Sequence, residues 1–97
     1  MPGYIGLLKY TQQGLADIKN SPQRMKQAQA LAQQMGIRPI GTWVVFGEYD
    51  LVIIGEAPDD ETMGTYSLAL ARAGNVTVTT MRAFSEEEFA RVVSRLP

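Results

Sequence analysis

Two short apolar runs in mid-chain, Trp43 to Phe46 and Leu51 to Ile54, are separated only by Gly47-Glu48-Tyr49-Asp50. That direct succession predicts a β-hairpin, with strand two over residues 38–47 and strand three over residues 51–57. Strand three is apolar at every position from 51 to 54, so both of its faces need cover. This double-sided apolarity limits the chain to folds that bury both sides of a sheet.

The flanking segments supply the remaining elements. Residues 4–11 are β-rich and form strand one; residues 12–20, with Gly14 and Asn20, read as a loop with a short helical turn. Ser21-Pro22 marks a helix start, serine capping free amides and proline fitting the first turn. Met25, Ala28, Leu31, Ala32 and Met35 follow at helical spacing, and Gly36 fits the left-handed terminating position. Pro58-Asp59-Asp60-Glu61 opens a second helix, with acids where the helix dipole favours them. Gly74-Asn75 ends it, and residues 76–84 form strand four. Ser85 and Glu88 then compose a capping box ahead of a third helix. Its stripe of Phe89, Val92, Val93 and Leu96 demands a packing surface.

The order β-α-β-β-α-β plus a terminal helix predicts a single ferredoxin-like α+β domain over residues 1–97. Its four-stranded antiparallel sheet has order 4-1-3-2, with helices on one face. The polar residues Lys9, Thr11 and Glu56 assign the bare face of the sheet. Ile5, Leu7, Val52 and Ile54 share their parity, and Thr77, Thr79 and Met81 join them from strand four. A monomer would expose too large an apolar patch there. Two such faces packed about a two-fold axis make a dimeric α+β barrel, so a homodimer or higher homo-oligomer is expected.

Composition narrows the chemistry. Neither cysteine nor histidine is present. Disulfides, thiolate nucleophiles, iron–sulfur clusters, imidazole bases and His-ligated haem are therefore excluded. Glycine-rich phosphate loops, serine nucleophile elbows and clustered metal carboxylates are absent, so no cofactor and no metal are expected. A chain of this size buries about 64% of its surface on folding, enough for one core. The net charge of −1 gives no field to draw in nucleic acid or an anionic membrane. The apolar runs fall far short of the ~20 residues of a membrane span, and the start lacks a signal-peptide pattern, so a cytoplasmic location is expected. Charge is nonetheless divided, with residues 1–47 at +4 and residues 48–97 at −5. Two solvated helix faces or complementary subunit contact would each account for that split.

Several stretches together resemble the GYD domain family of small bacterial and archaeal proteins. They are Leu8-Lys9-Tyr10-Thr11-Gln12-Gln13-Gly14-Leu15, Ser21-Pro22-Gln23-Arg24, the hairpin Gly47-Glu48-Tyr49-Asp50, Glu56-Ala57-Pro58-Asp59-Asp60 and Arg82-Ala83-Phe84. The resemblance covers nearly the whole chain, although Glu48 interrupts the name-giving motif. It implies the dimeric α+β barrel fold and assigns no reaction. Cofactor-free monooxygenases, lactone isomerases and haem enzymes belong to the wider group, and those with histidine-dependent sites cannot be guides to this chain.

Antiparallel pairing brings the end of strand one towards the starts of strands three and four. Lys9, Thr11, Tyr49, Asp50, Thr77 and Thr79 are thus expected to cluster at one end of the bare face, with Asp50 as the partner of Lys9. Each has a plainer role available: Asp50 as acceptor of turn amides, Tyr49 as a packing residue, Lys9 as a solvated strand end. Trp43 suits a half-buried interface aromatic or a stacking contact. The leading functional expectation is an oligomer that binds an apolar or aromatic small molecule in the cleft between subunits. The alternatives are a cofactor-independent isomerase or monooxygenase using Asp50, Tyr49 and Lys9, and an assembly module without a ligand.

Overall fold

A computed structural model describes residues 1–97. Strand β1 (Gly3–Tyr10) leads into a short helix α1 (Gln12–Ala16), a 3-10 turn (Ile18–Asn20) and helix α2 (Ser21–Gln34). Strands β2 (Arg38–Val44) and β3 (Leu51–Glu56) form the hairpin, followed by α3 (Asp60–Arg72), β4 (Val76–Ala83) and α4 (Glu86–Ser94). The four strands make one antiparallel sheet in the order β2-β3-β1-β4, the expected ferredoxin-like arrangement.

Alternation along β1 decides what each face of the sheet does. Tyr4, Gly6 and Leu8 are buried towards the helices, whereas Ile5, Leu7 and Lys9 point to the opposite, open face. The core gathers Tyr4, Ala32, Ile37, Ala57, Met63 and Tyr66, with Leu31, Met35, Ile53 and Leu70 packed around them. Helix ends follow the local chemistry. Asp59 caps α3 by accepting the Thr62 amide at 2.8 Å, and Gly36 and Gly74 take the left-handed φ of 78° and 87° that closes α2 and α3.

Three local expectations need correction. Ser21 does not cap α2: the 3-10 turn carries the chain into the helix, and the buried Ser21 hydroxyl instead shares a 2.5 Å hydrogen bond with the Tyr10 hydroxyl. Regular strand β2 ends at Val44; the Val45 amide still donates to the Asp50 carbonyl at 2.8 Å, in register with the Val44–Leu51 pair, and the chain leaves the ladder after it. Helix α4 forms with the expected Ser85–Glu88 capping box, but it is not packed. Phe89 is 61% and Leu96 70% exposed, and no element of the same chain packs extensively against the stripe. The helix is tied to β4 through the Arg82–Glu88 ion pair at 3.2 Å, while Arg82 lies 4.5 Å from the Phe84 ring centre.

Candidate functional site

The open face of the sheet is built by register. Leu7 stands between Val52 and Thr79, Ile5 between Ile54 and Met81, and Lys9 directly opposite Thr77. Trp43 lies opposite Val52 on the outer strand. The centre of the face is thus continuous apolar surface, to which Trp43 (51% exposed) and Met81 (41%) contribute most visibly. Lys9, Thr77 and Thr79 form a polar fringe at one end. The Arg38–Glu56 pair, 3.0 Å apart across β2 and β3, borders the other.

The remaining expected site residues are engaged elsewhere. The Asp50 carboxylate accepts the Tyr10 amide at 2.8 Å, and its own amide donates to the Leu8 carbonyl at 2.9 Å. Asp50 therefore extends the β1–β3 ladder by one rung. It does not pair with Lys9: the chain's ion pairs are Arg24–Asp17, Arg38–Glu56 and Arg82–Glu88. Tyr49 beside it is half-buried in the hairpin. Thr11 caps α1, accepting the Gly14 amide at 3.1 Å and donating to the Gly74 carbonyl at 2.5 Å. It links the end of β1 to the α3–β4 turn rather than to the open face.

The groups with shifted acidity are all accounted for by structural contacts. Burial, and then the hydrogen bond and charge of Asp60, push the Tyr4 hydroxyl up to about 12. Burial alone raises Tyr66. Bonds from Thr62 lower Asp59, and bonds from Ser85 and Arg82 lower Glu88. No three acidic side chains converge into a group that could hold a metal ion.

A second feature lies on the opposite side of the sheet. Between the sheet and helices α2 and α3 is an open cavity of about 290 Å³, mostly apolar in its lining. The sequence held one sign of it, the small residues Ala28, Ala69 and Ala73 on helix stripes where larger side chains would fill space.

The GYD domain model matches residues 4–93, which spans both the sheet and the helix layer. The chain belongs to the GYD domain family. This GYD protein is 34% identical over 84 residues to the glutamine synthetase and cystathionine beta-lyase binding protein of Thermus thermophilus, covering 86% of this chain and 88% of that one. Its fold is similar to the crystal structure of FFRP-DM1, with a TM-score of 0.61 at 19% identity over 87% of this chain and all of the other. At that identity the likeness speaks for the fold alone. No helix of the GYD protein is long and apolar enough to cross a membrane.

Proposed function

We propose that this GYD protein is a non-catalytic binding protein, working as a homodimer or higher homo-oligomer whose subunits join through their open sheet faces. The observation that carries the reading is the apolar centre of that face, Ile5, Leu7, Val52 and Ile54 flanked by Trp43 and Met81. Such a surface is costly in water, and the same face of a second copy is the simplest cover. A face-to-face contact that buries about 1,000 Å² or more in total would make a stable interface. In that arrangement Lys9, Thr77 and Thr79 fringe the cleft between subunits, where a small molecule's polar group would meet them.

Protein partners extend the reading. The Thermus relative carries the names of two enzymes that it binds. By analogy, this chain's partners are enzymes that dock on the assembled oligomer, and the unpacked stripe of α4 offers a second apolar surface for that contact. The enzyme alternative required a desolvated Asp50 or Lys9 aimed into a cavity. Asp50 instead holds the Tyr10 amide, which favours binding over catalysis.

The test is a titration of the purified protein against purified glutamine synthetase and cystathionine beta-lyase of the same organism. Saturable binding to either, weakened by Phe89→Asp, is expected. Absence of binding to both would remove the partner assignment.

A further inference from the structure

We infer that the helix-side cavity is a binding site for an uncharged aromatic or aliphatic molecule, about two fused rings in size, with one hydrogen-bonding end. The site is separate from the open sheet face and lies on the other side of the sheet.

The cavity has a physical cause. Leu8, Leu51 and Ile53 form its floor, and Ala28 of α2 faces Ala69 of α3 across it. These alanines cannot span the gap between the helices. Helices α2 and α3 meet through the core shared by Ala32, Met63 and Tyr66 and through the Tyr66 hydroxyl, which donates to the Ala28 carbonyl at 2.9 Å; beside that contact, towards Ala69 and Ala73, the space between them is open. Protein interiors ordinarily leave voids no larger than a water molecule. At about 290 Å³ this space is roughly twice the ~150 Å³ of an engineered apolar cavity that takes benzene. It also sits near the ~300 Å³ lower end of small-molecule pockets.

The polar groups at the cavity define the ligand class. Tyr10 and Ser21 satisfy each other at 2.5 Å. Arg24 at the rim is held by the Asp17 carboxylate and carbonyl, both at 2.9 Å, so the mouth carries no free charge to select an anion. Thr42 supplies a hydroxyl on the strand side that is not paired with another side chain, and the Gln27, Gln29 and Asn75 amides and the Tyr66 hydroxyl add uncharged polar groups to the lining. An apolar body therefore fills the space between the alanines, and an uncharged donor or acceptor reaches Thr42. A charged ligand would be desolvated without compensation.

Naphthol and naphthalene are the probes, followed by backbone amide NMR on the intact protein. Naphthol is expected to bind saturably, with shifts concentrated at Ala28, Leu51, Ala69 and Leu70. Ala69→Phe fills the space and should weaken naphthol binding by at least about tenfold, a loss of 1.4 kcal/mol or more. If Ala69→Phe disturbs the amide spectrum, Ala28→Val gives the same comparison with a smaller side chain. Thr42→Val should abolish the preference for naphthol over naphthalene. Leu7→Glu should break the dimer and leave naphthol binding intact, which separates this site from the proposed subunit contact. Shifts confined to the open face, or unchanged affinity in the cavity-filling variant, would overturn the inference. So would naphthol binding that emerges only in Phe89→Asp, since α4 of a second copy would then be the occupant.

Discussion

The indole of Trp43 lies across Gly41 of the same strand, so closely that a Cβ on Gly41 would stand 2.3 Å from the ring's Cη2. Both residues sit on the open face, opposite Val52 and Ile54, so the ring lies down on the sheet and widens its apolar surface. Gly41→Ala must displace the indole. The expected result is unchanged circular dichroism, altered tryptophan emission and a weaker subunit contact by sedimentation.

Asp50 acts on the ladder, so its loss should register as instability. Asp50→Ala leaves the part-buried Tyr10 amide without this acceptor, at a cost of about 1–3 kcal/mol. Asp50→Asn keeps an acceptor and should fall closer to wild type. Urea denaturation distinguishes the two; an Asp50→Ala protein as stable as wild type would contradict the ladder role.

Two glycine-to-alanine changes should have opposite signs. A Cβ on Gly14 would come within 2.1 Å of the Asn75 carbonyl oxygen, so Gly14→Ala should destabilise by about 1–3 kcal/mol. Gly64 is exposed within α3 and has nothing within 4 Å of such an atom, so Gly64→Ala should stabilise by about 0.4–1 kcal/mol. Paired thermal melts check both.

The pH dependence follows from the shifted groups. Glu88 and Asp59 lie below their ordinary values of 4.5 and 3.8 in the fold. Their contribution is present above those values and is lost as pH falls through the lower folded ones. Hydrogen exchange at the first turns of α3 and α4 should accelerate below that point. Tyr4 is raised from 10.0 to about 12, so its contribution is present below 10.0 and disappears as pH rises through about 12. Tyrosinate absorbance should develop late for Tyr4, together with loss of structure, and Tyr4→Phe should remove that late phase.

Most of the fold was readable because local signals agreed with one another. The Ser85–Glu88 box, Asp59, Gly36 and Gly74 all occupy the terminal positions that their chemistry suggests. Polar Lys9 and Glu56 correctly assigned the open face, since a two-residue period admits only two choices. The candidate site was legible in part. Lys9, Thr77 and Thr79 share one face because ladder register follows from the strands. Asp50 and Thr11 were misplaced because short polar side chains beside a turn bond to whichever amide or carbonyl the backbone presents, and that depends on angles the sequence does not display. The helix-side cavity was out of reach for a similar reason. Ala28 and Ala69 read as ordinary core residues until the distance between α2 and α3 is known. The stripe of α4 was plain in the sequence, but an amphipathic pattern does not say whether its cover comes from the same chain.

The subunit contact through the open sheet face is tested most directly by sedimentation at micromolar concentration, comparing wild type with Leu7→Glu. Leu7 lies at the centre of the face, between Val52 and Thr79, so a carboxylate there would have to be desolvated against apolar surface in any face-to-face assembly. Wild type is expected to sediment as a dimer or larger, and Leu7→Glu as a folded monomer. A wild-type protein that sediments as a monomer at those concentrations would contradict that contact.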